Sequence, residues 1–251
     1  MAHIDNRSLL TGTISTKLKI AKITPIFKRG DSQCPTNYRP ISLLSIFDKI
    51  FEKIICRRLI SFLERYNFLY EFQFGFRKNC TTTLALIEIT DEIYTRKWLD
   101  EGSYIAGAFF DLQKAFDTVD HSILLYKLYY YGIRGLIHDW LKSYLCNRSQ
   151  FTAIGQFCTK PNNVSYGVPQ GSVLGPILFL IYMNDIACAV QGAKIKLFAD
   201  DTNIFVKAKE LNLLSIAYNK YLAELNMWFL ANKLSLNIDK TNYILFQPKF
   251  K

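Results

Sequence analysis

Two short, strand-like segments of this chain end in acidic residues, and this pattern restricts the fold strongly. Residues 106–110 are entirely apolar and precede Asp111, and residues 194–198 lead through one alanine to Asp200 and Asp201. Segments of this kind are typical of β-strands, the first of them buried on both faces. Because a strand end beside a hairpin turn is open to solvent, the sequence predicts carboxylates that converge at one end of a sheet.

The rest of the chain mixes helices and strands without regular alternation. Apolar residues recur at steps of three and four over residues 45–66, which predicts an amphipathic helix. Similar reasoning predicts helices at 81–98, 122–131, 136–145 and 211–232, with a further helix after residues 169–171. Strands are expected at 18–27 and 103–112, and hairpins at 150–166, 194–206 and 236–246. The predicted fold class is therefore α+β.

The charge of the chain points to a polyanionic partner. Residues 1–80 hold 14 Lys or Arg and 6 Asp or Glu, whereas residues 81–251 hold 17 and 15, within a total net charge of +10. A basic N-terminal third favours nucleic acid ahead of a membrane surface, and a solvated basic surface is the plain alternative. Because half of the residues are hydrophobic, disorder of the whole chain is excluded.

The sequence lacks the features of membrane-spanning, secreted, zinc-binding and disulfide-rich proteins. The longest apolar run, residues 173–183, is too short to cross a bilayer, and the N-terminus does not resemble a signal peptide. Neighbouring cysteines are at least 12 residues apart, which is incompatible with common zinc motifs and with a disulfide scaffold. We therefore expect a reduced, intracellular protein without a membrane anchor.

The acidic residues at the strand ends have two interpretations from the residues alone. Clustered carboxylates repel one another and favour a hard divalent cation, and two such ions can serve phosphoryl transfer. An Asp-Asp pair at a β-turn is also common simply because Asp favours turns. The separation of 89 residues between Asp111 and Asp200 does not decide between them.

Six motifs in a fixed order resemble the reverse transcriptase domain of non-LTR retrotransposons, in their jockey-like branch. They are Tyr-Arg-Pro-Ile-Ser at 38–42, Phe-Gly-Phe-Arg-Lys at 74–78, Phe-Asp-Leu-Gln-Lys-Ala-Phe-Asp at 110–117, Gly-Val-Pro-Gln-Gly-Ser at 167–172, Phe-Ala-Asp-Asp at 198–201 and Leu-Asn-Ile-Asp-Lys-Thr at 236–241. Any one of them is weak evidence, but their order and spacing are specific. The resemblance covers residues 18–246, nearly the whole chain.

The resemblance implies a right-hand polymerase with an antiparallel palm sheet packed on helices. Residues 1–102 would form the fingers with an N-terminal extension, and residues 103–251 the palm, with a fingers insertion within 120–166. The implied reaction is RNA-directed DNA synthesis, in which a primer 3′-hydroxyl attacks a deoxynucleoside triphosphate with two Mg²⁺ ions, or Mn²⁺ in their place. The implied partners are an RNA template, a DNA primer and deoxynucleoside triphosphates, acting in the nucleus; the oligomeric state stays open.

Individual roles follow from the same resemblance. The catalytic metal ligands would be Asp111, Asp200 and Asp201. Phe116 would exclude a 2′-hydroxyl, and Arg39 would grip the triphosphate through its planar fork. Gln170 would contact the nucleotide, and Lys240 would donate a proton to pyrophosphate. Template contacts would come from Lys22, Lys28, Arg29, Arg77 and Lys78. Without the family context, these residues are ordinary core aromatics, turn residues and solvated cations.

The sequence departs from the family pattern at one motif and at its ends. Asn79 and Cys80 stand where the family has a glycine and a basic residue, although Asn can adopt the left-handed conformation of a glycine. The family's endonuclease would precede residue 1 and its thumb would follow residue 251, so we expect a fragment of fingers and palm without a thumb. A truncated nucleic-acid-binding module without turnover is the alternative function, and a two-metal nuclease is a remote third.

Overall fold

Helices and strands follow one another irregularly along the chain. The computed structural model describes residues 2–94 and 102–247. In chain order the elements are α1 (Ala2–Thr11), β1 (Ile20–Phe27), β2 (Tyr38–Leu43), α2 (Ile46–Arg65), α3 (Thr82–Tyr94), β3 (Tyr104–Phe110), α4 (His121–Tyr130), α5 (Leu136–Leu145), β4 (Arg148–Ile154), β5 (Phe157–Cys158), β6 (Asn162–Val164), α6 (Gly175–Met183), α7 (Ile186–Ala189), β7 (Lys194–Phe198), β8 (Asp201–Ala208), α8 (Leu211–Ala231) and β9 (Asn242–Phe246). The predicted α+β class is confirmed.

The chain divides into two compact units. Unit 1 combines Met1–Phe68 with Phe116–Tyr182, and unit 2 combines Leu69–Ala115 with Met183–Lys251. Each unit is therefore built from two separate stretches of sequence, and each contains its own β-sheet.

The sheet of unit 1 is mixed. Strand β1 pairs antiparallel with β2 and parallel with β4, which in turn pairs antiparallel with β5 and β6. The hairpin predicted at residues 150–166 is formed by β4 and these two short strands. A parallel pair requires a long crossover, and here the chain between β1 and β4 includes all of unit 2's first segment.

Helix α2 agrees with the prediction from its apolar periodicity. Ser45 caps its N-terminus, where the Ser45 hydroxyl accepts the backbone N–H of Asp48 at 3.0 Å. Phe51, Ile55 and Leu59 repeat at intervals of four and are buried, so one face of the helix lies against the interior of unit 1.

The same helix carries two fully buried carboxylates that belong to a polar network. Glu52 accepts hydrogen bonds from the Tyr144 hydroxyl at 2.6 Å and from the backbone N–H of Val173 at 2.5 Å. Asp48 pairs with the guanidinium of Arg148 at 3.4 Å, and that guanidinium lies 4.8 Å from the centre of the Tyr144 ring. Burial raises the pKa values of both carboxyls, so the network depends on these donors.

The sheet of unit 2 is antiparallel throughout, as expected for a palm, with strand order β7-β8-β3-β9. Strand β3 is central and carries the buried Ile105, Ala108 and Phe110. Gly107 lets the ring of Phe205 on β8 approach this strand closely, because a Cβ there would lie 3.1 Å from that ring. The sheet packs on helix α8, where Phe110 contacts Phe229 with ring centres 6.1 Å apart.

The hairpin predicted at residues 236–246 is wrong. Leu236 forms a single bridge with Leu112, residues Ile238–Lys240 form one 3₁₀ turn, and β9 pairs with β3 instead of with its own neighbour. The pairing joins five residues of β9 to the second edge of β3 and so closes that edge.

The predicted helices are present, with small shifts at their ends. Helix α3 begins within the predicted start at residues 81–83, and the part of the prediction that includes Trp98 lies outside the described residues. Across the ranges 2–94 and 102–247, no helix combines the length and apolar character that crossing a membrane requires.

Replacing Arg148 with methionine removes the cation that faces buried Asp48. We expect the free energy of unfolding to fall by about 3–5 kcal/mol at neutral pH, because an uncompensated charge stays buried. Burial raises the pKa of Asp48 and Arg148 opposes that rise, so the variant raises the pKa further. The folded variant then binds a proton that the unfolded chain has released, so the loss shrinks as the pH falls through the raised pKa.

Urea unfolding at a series of pH values measures this effect. The matched control is the double variant Arg148→Met/Asp48→Asn, in which the part of the pH dependence that comes from Asp48 is expected to disappear, while that of buried Glu52 remains. A loss of stability in Arg148→Met that is the same at every pH would contradict the prediction.

Candidate active site

The three acidic residues predicted to act together lie at one end of the unit 2 sheet. Asp111 follows β3 directly, Asp200 lies in the turn between β7 and β8, and Asp201 begins β8. Strand β8 is the neighbour of both β7 and β3, with Phe198 opposite Asp201 and Phe110 opposite Thr202. This register places the carboxylates on adjacent strand ends, so the structure brings all three together.

The charges of these residues act on one another. The pKa of Asp201 is raised, first by partial removal of its carboxyl from solvent and then by the charges of Asp200 and Asp111. The ammonium of Lys240 lowers it. The same ammonium lies 3.5 Å from Asp111 Oδ2, with the two side chains 56% and 33% exposed. At that exposure the ion pair adds little stability, but it supplies a local counter-charge.

Lys240 reaches the cluster because the chain around it is fixed to the end of β3. The N–H of Asn237 donates to the carbonyl oxygen of Asp111 at 2.8 Å, and the N–H of Gln113 donates to Ser235 at 2.8 Å. The 3₁₀ turn Ile238–Lys240 follows immediately and carries the lysine. The sequence did indicate Lys240, although it placed the residue in a hairpin rather than a helical turn.

The turn that carries Asp200 is held by residues 73–75, a role that sequence reasoning missed. The buried side-chain oxygen of Gln73 accepts the backbone N–H groups of Gly75 at 2.8 Å and Ala199 at 3.1 Å. Ala199 has a left-handed backbone with φ of 57°, which costs an alanine energy and needs such support. A Cβ at Gly75 would lie 2.1 Å from the Ala199 nitrogen, so no larger residue fits. In the sequence, the only signal of this role is that Gly75 stands between two phenylalanines.

The basic residues next to this clamp have different surroundings. Arg77 donates from Nη1 to the carbonyl oxygens of Tyr70 at 2.9 Å and Gln73 at 3.2 Å, which ties it to the local fold. Lys78 is exposed. Asn79 has φ of 64°, so it adopts the left-handed conformation that asparagine was expected to allow there.

The predicted nucleotide-binding residues Arg39, Phe116 and Gln170 lie in unit 1. Arg39 is exposed on β2, opposite Ile26. The carbonyl oxygen of Gln170 accepts the N–H of Ser42 on the same strand at 2.7 Å, so β2 and the loop before α6 are joined. The side-chain amide of Gln170 donates to Asp117 Oδ1 at 3.0 Å.

Phe116 is half-buried, and its ring stacks on Phe179 of α6 with 4.7 Å between ring centres. Its carbonyl oxygen accepts the N–H of Val168 at 2.8 Å. The stacking thus positions the ring, and the hydrogen bond holds the backbone that carries it. The predicted template residues Lys22, Lys28 and Arg29 are exposed on β1 and in the loop after it.

The fit of a metal ion can be judged from the donor atoms. Within residues 2–94 and 102–247, no group of three or more His, Cys, Asp or Glu side chains is arranged so that it could hold a metal ion. The chemistry of the cluster nevertheless fits a hard divalent cation, because its donors are all carboxylate oxygens and Asp200 and Asp111 raise the pKa of Asp201. Binding of a cation would relieve that repulsion.

An antiparallel sheet with acidic residues on adjacent strand ends is the arrangement of a nucleotidyl-transferring polymerase. The chain belongs to the reverse transcriptase (RNA-dependent DNA polymerase) family, whose sequence profile matches residues 26–251. The resemblance drawn from the six motifs is thereby confirmed.

The relatives that the chain resembles include polymerases of transposons. The chain is 32% identical to the probable RNA-directed DNA polymerase from transposon BS of Drosophila melanogaster, over 96% of this chain and 27% of that protein. It is 30% identical to the RNA-directed DNA polymerase from mobile element jockey of the same species, over 98% of this chain and 27% of that protein. The chain thus spans about a quarter of the length of these relatives.

Solved structures confirm the fold. The telomerase of Candida albicans, solved with a fragment of telomeric RNA, superposes with a TM-score of 0.60 at 14% identity, covering 95% of this chain and 44% of that one. The apo telomerase of Candida tropicalis gives 0.64 at 16% identity, covering 93% of this chain and 51% of that one. At this identity the likeness shows the polymerase-type fold alone.

Replacing Gly75 with alanine places a methyl group against the backbone of Ala199. We expect the free energy of unfolding to fall by about 3 kcal/mol or more, because backbone rather than a flexible side chain must move. Gly155→Ala is the control, since a Cβ there meets nothing within 4 Å and only backbone strain of about 1–2 kcal/mol is added. Equal losses in urea unfolding of the two variants would contradict the close contact at Gly75.

Proposed function

We propose that this chain is the catalytic domain of an RNA-directed DNA polymerase that extends a DNA primer on an RNA template. The observation that carries the proposal is the convergence of Asp111, Asp200 and Asp201 on adjacent strand ends in a chain of the reverse transcriptase family. The names of the transposon relatives support the same activity and a role in a mobile element. By the same family resemblance, we propose that it acts in the nucleus.

In this proposal Asp111, Asp200 and Asp201 hold two Mg²⁺ ions, with Mn²⁺ as an alternative. The support is their all-oxygen donor chemistry and the raised pKa of Asp201, rather than a preformed set of ligands. When bound, such ions lower the pKa of the primer hydroxyl and neutralise charge on the triphosphate. The clamp formed by Gln73 and Gly75 fixes the turn that presents Asp200, so the carboxylates are held in position before substrate arrives.

The remaining residues bind and orient the substrate. The exposed guanidinium of Arg39 pairs with triphosphate oxygens, and Gln170 contacts the nucleotide from the loop that is bonded to the same strand. Phe116, fixed by Phe179, excludes a sugar that carries a 2′-hydroxyl. Lys240 donates a proton to pyrophosphate, which its position beside Asp111 supports. Contacts to template phosphates come from Lys22, Lys28, Arg29, Arg77 and Lys78.

The division into fingers and palm is part of the proposal. Residues 1–102 are assigned to the fingers and 103–251 to the palm, with a fingers insertion within 120–166. The insertion is supported by the grouping of Phe116–Tyr182 with Met1–Phe68 in one compact unit. The palm is supported by the antiparallel sheet that carries the three carboxylates.

Replacing Asp200 with asparagine tests the catalytic assignment. We expect primer extension on an RNA template with Mg²⁺ to fall about a thousandfold or more, because a charged ligand at the reacting phosphate is lost. The control is Asp139→Asn, which removes an exposed carboxylate of α5. Extension that survives in Asp200→Asn would contradict the metal assignment. Salt-sensitive RNA binding without extension by any variant, including the unchanged chain, would favour the binding module without turnover.

Replacing Phe116 with alanine tests the selection of deoxynucleotides. We expect the ratio of deoxy- to ribonucleotide incorporation to fall at least tenfold, because the space of the ring becomes open to a 2′-hydroxyl. The variant also loses the stacking on Phe179, but lost packing lowers both incorporation rates and leaves their ratio unchanged. Phe116→Tyr keeps the ring and is expected to keep the ratio. An unchanged ratio in Phe116→Ala would remove Phe116 from this role.

A further inference from the structure

A surface of unit 1 combines exposed tyrosines with cations, and the proposed polymerase site does not use it. Tyr126, Tyr129 and Tyr130 share one face of α4, because they stand three and four positions apart. Tyr126 is 71% and Tyr130 is 75% exposed, values unusual for such large rings. Together with the exposed Tyr66 at the end of α2, they are called here the tyrosine face.

Half-buried rings connect the two parts of the tyrosine face. Tyr130 contacts Tyr131 with ring centres 6.0 Å apart, Tyr131 contacts Phe68 at 5.6 Å, and Phe68 contacts Tyr66 at 5.8 Å. These aromatic contacts anchor the ends of α2 and α4 to each other. The exposed rings are therefore held on a fixed platform rather than on a loose loop.

Cations accompany the tyrosine face. The guanidinium of Arg134 lies 4.6 Å from the centre of the Tyr129 ring, and that of Arg65 lies 5.8 Å from the centre of the Tyr66 ring. The exposed cations on the solvent side of α2 are called here the basic stripe; its members are Lys53, Arg57, Arg58 and Arg65. From Lys53 to Arg65 the stripe extends about 18 Å along the helix axis.

The negative charges of this region are removed from the surface. Asp48 and Glu52, two of the three acidic residues of α2, are fully buried in the polar network, which leaves only Glu64 exposed beside the stripe. Residues 121–138, which include all of α4, contain no Asp or Glu. The surface is thus basic because two of the three carboxylates of α2 are buried and α4 carries none, and it is suited to a polyanion.

From this combination we infer that the tyrosine face and the basic stripe bind single-stranded nucleic acid outside the polymerase site. Unpaired bases stack on exposed aromatic rings, whereas phosphates are neutralised by cations that lie alongside. A duplex presents its phosphates but hides the faces of its bases, so it cannot use the tyrosines. The inference does not rest on the proposed polymerase activity, because binding requires neither nucleotide nor metal.

Fluorescence anisotropy of a labelled 20-nucleotide single strand tests the inference directly. In Tyr126→Ala/Tyr130→Ala we expect at least a tenfold loss of affinity for the single strand, since each stacked base contributes about 1–3 kcal/mol. Affinity for a duplex of the same length is expected to stay unchanged. Tyr126→Phe/Tyr130→Phe keeps the rings and should keep the affinity. Phe157→Ala, which removes an equally exposed ring from β5 of the same unit, is the matched control.

The basic stripe is tested through the salt dependence. Arg57→Ala/Arg58→Ala should lower the slope of log K against log salt by about 1.4 for a single strand, because two fewer counterions are released. The affinities for RNA and DNA single strands are compared, and the strand that binds more tightly identifies the natural occupant. Primer extension on a short template should be unchanged in the tyrosine variants, which separates this surface from the polymerase site.

Three results would overturn the inference. One is an unchanged single-strand affinity in Tyr126→Ala/Tyr130→Ala, and another is an equal loss for duplex and single strand. The third is binding of vesicles that contain anionic phospholipid with the same dependence on these tyrosines, which would identify a membrane surface as the occupant instead.

Discussion

Mutual repulsion among three carboxylates is the constraint on which the rest of unit 2 depends. Asp111, Asp200 and Asp201 can lie together only because the sheet register and the turn geometry are fixed by other interactions. The hydrogen bonds of Gln73 to the backbone of residues 75 and 199 hold the turn, and the buried β3 strand fixes Asp111. Partial burial, and after it the charges of Asp200 and Asp111, raise the pKa of Asp201, and a bound cation would offset the repulsion between these charges.

In unit 1 polar contacts also fix the backbone near the proposed site, but the carboxylates involved are buried. Glu52 holds the backbone of Val173 at the start of α6, and the Ser42 N–H holds the carbonyl of Gln170 three residues earlier. The loop that carries Gln170 is therefore attached to both α2 and β2. Since β2 also carries Arg39, the two residues proposed to bind nucleotide share one rigid support, which a loop with polar contacts to water alone would not provide.

The parts of the fold that were predictable are those set by local patterns. Helix α2 followed from its apolar period, and the strand ends at Asp111 and Asp200 followed from short apolar segments. The error at residues 236–246 arose because the partner of β9 is a strand more than 130 residues away, which no local pattern reveals. Gln73 was missed for a related reason, since a buried glutamine that bonds to a distant backbone has no periodicity. The motif that contains Arg77 suggested a contact with the template. The Arg77 guanidinium donates to backbone carbonyl oxygens, and the sequence gives no sign of these partners.

The ion pair between Asp111 and Lys240 also has a consequence for folding during synthesis on the ribosome. The two residues are separated by 129 positions, and the strand that completes the sheet, β9, is synthesised after both. The sheet cannot close on its β9 edge until this later segment has emerged, so the 129 positions from Asp111 to Lys240 are made before the acidic cluster has its counter-charge. Until then, the open edge of β3 offers unpaired backbone groups to any neighbouring strand, and the nascent chain is exposed to misassembly over this interval.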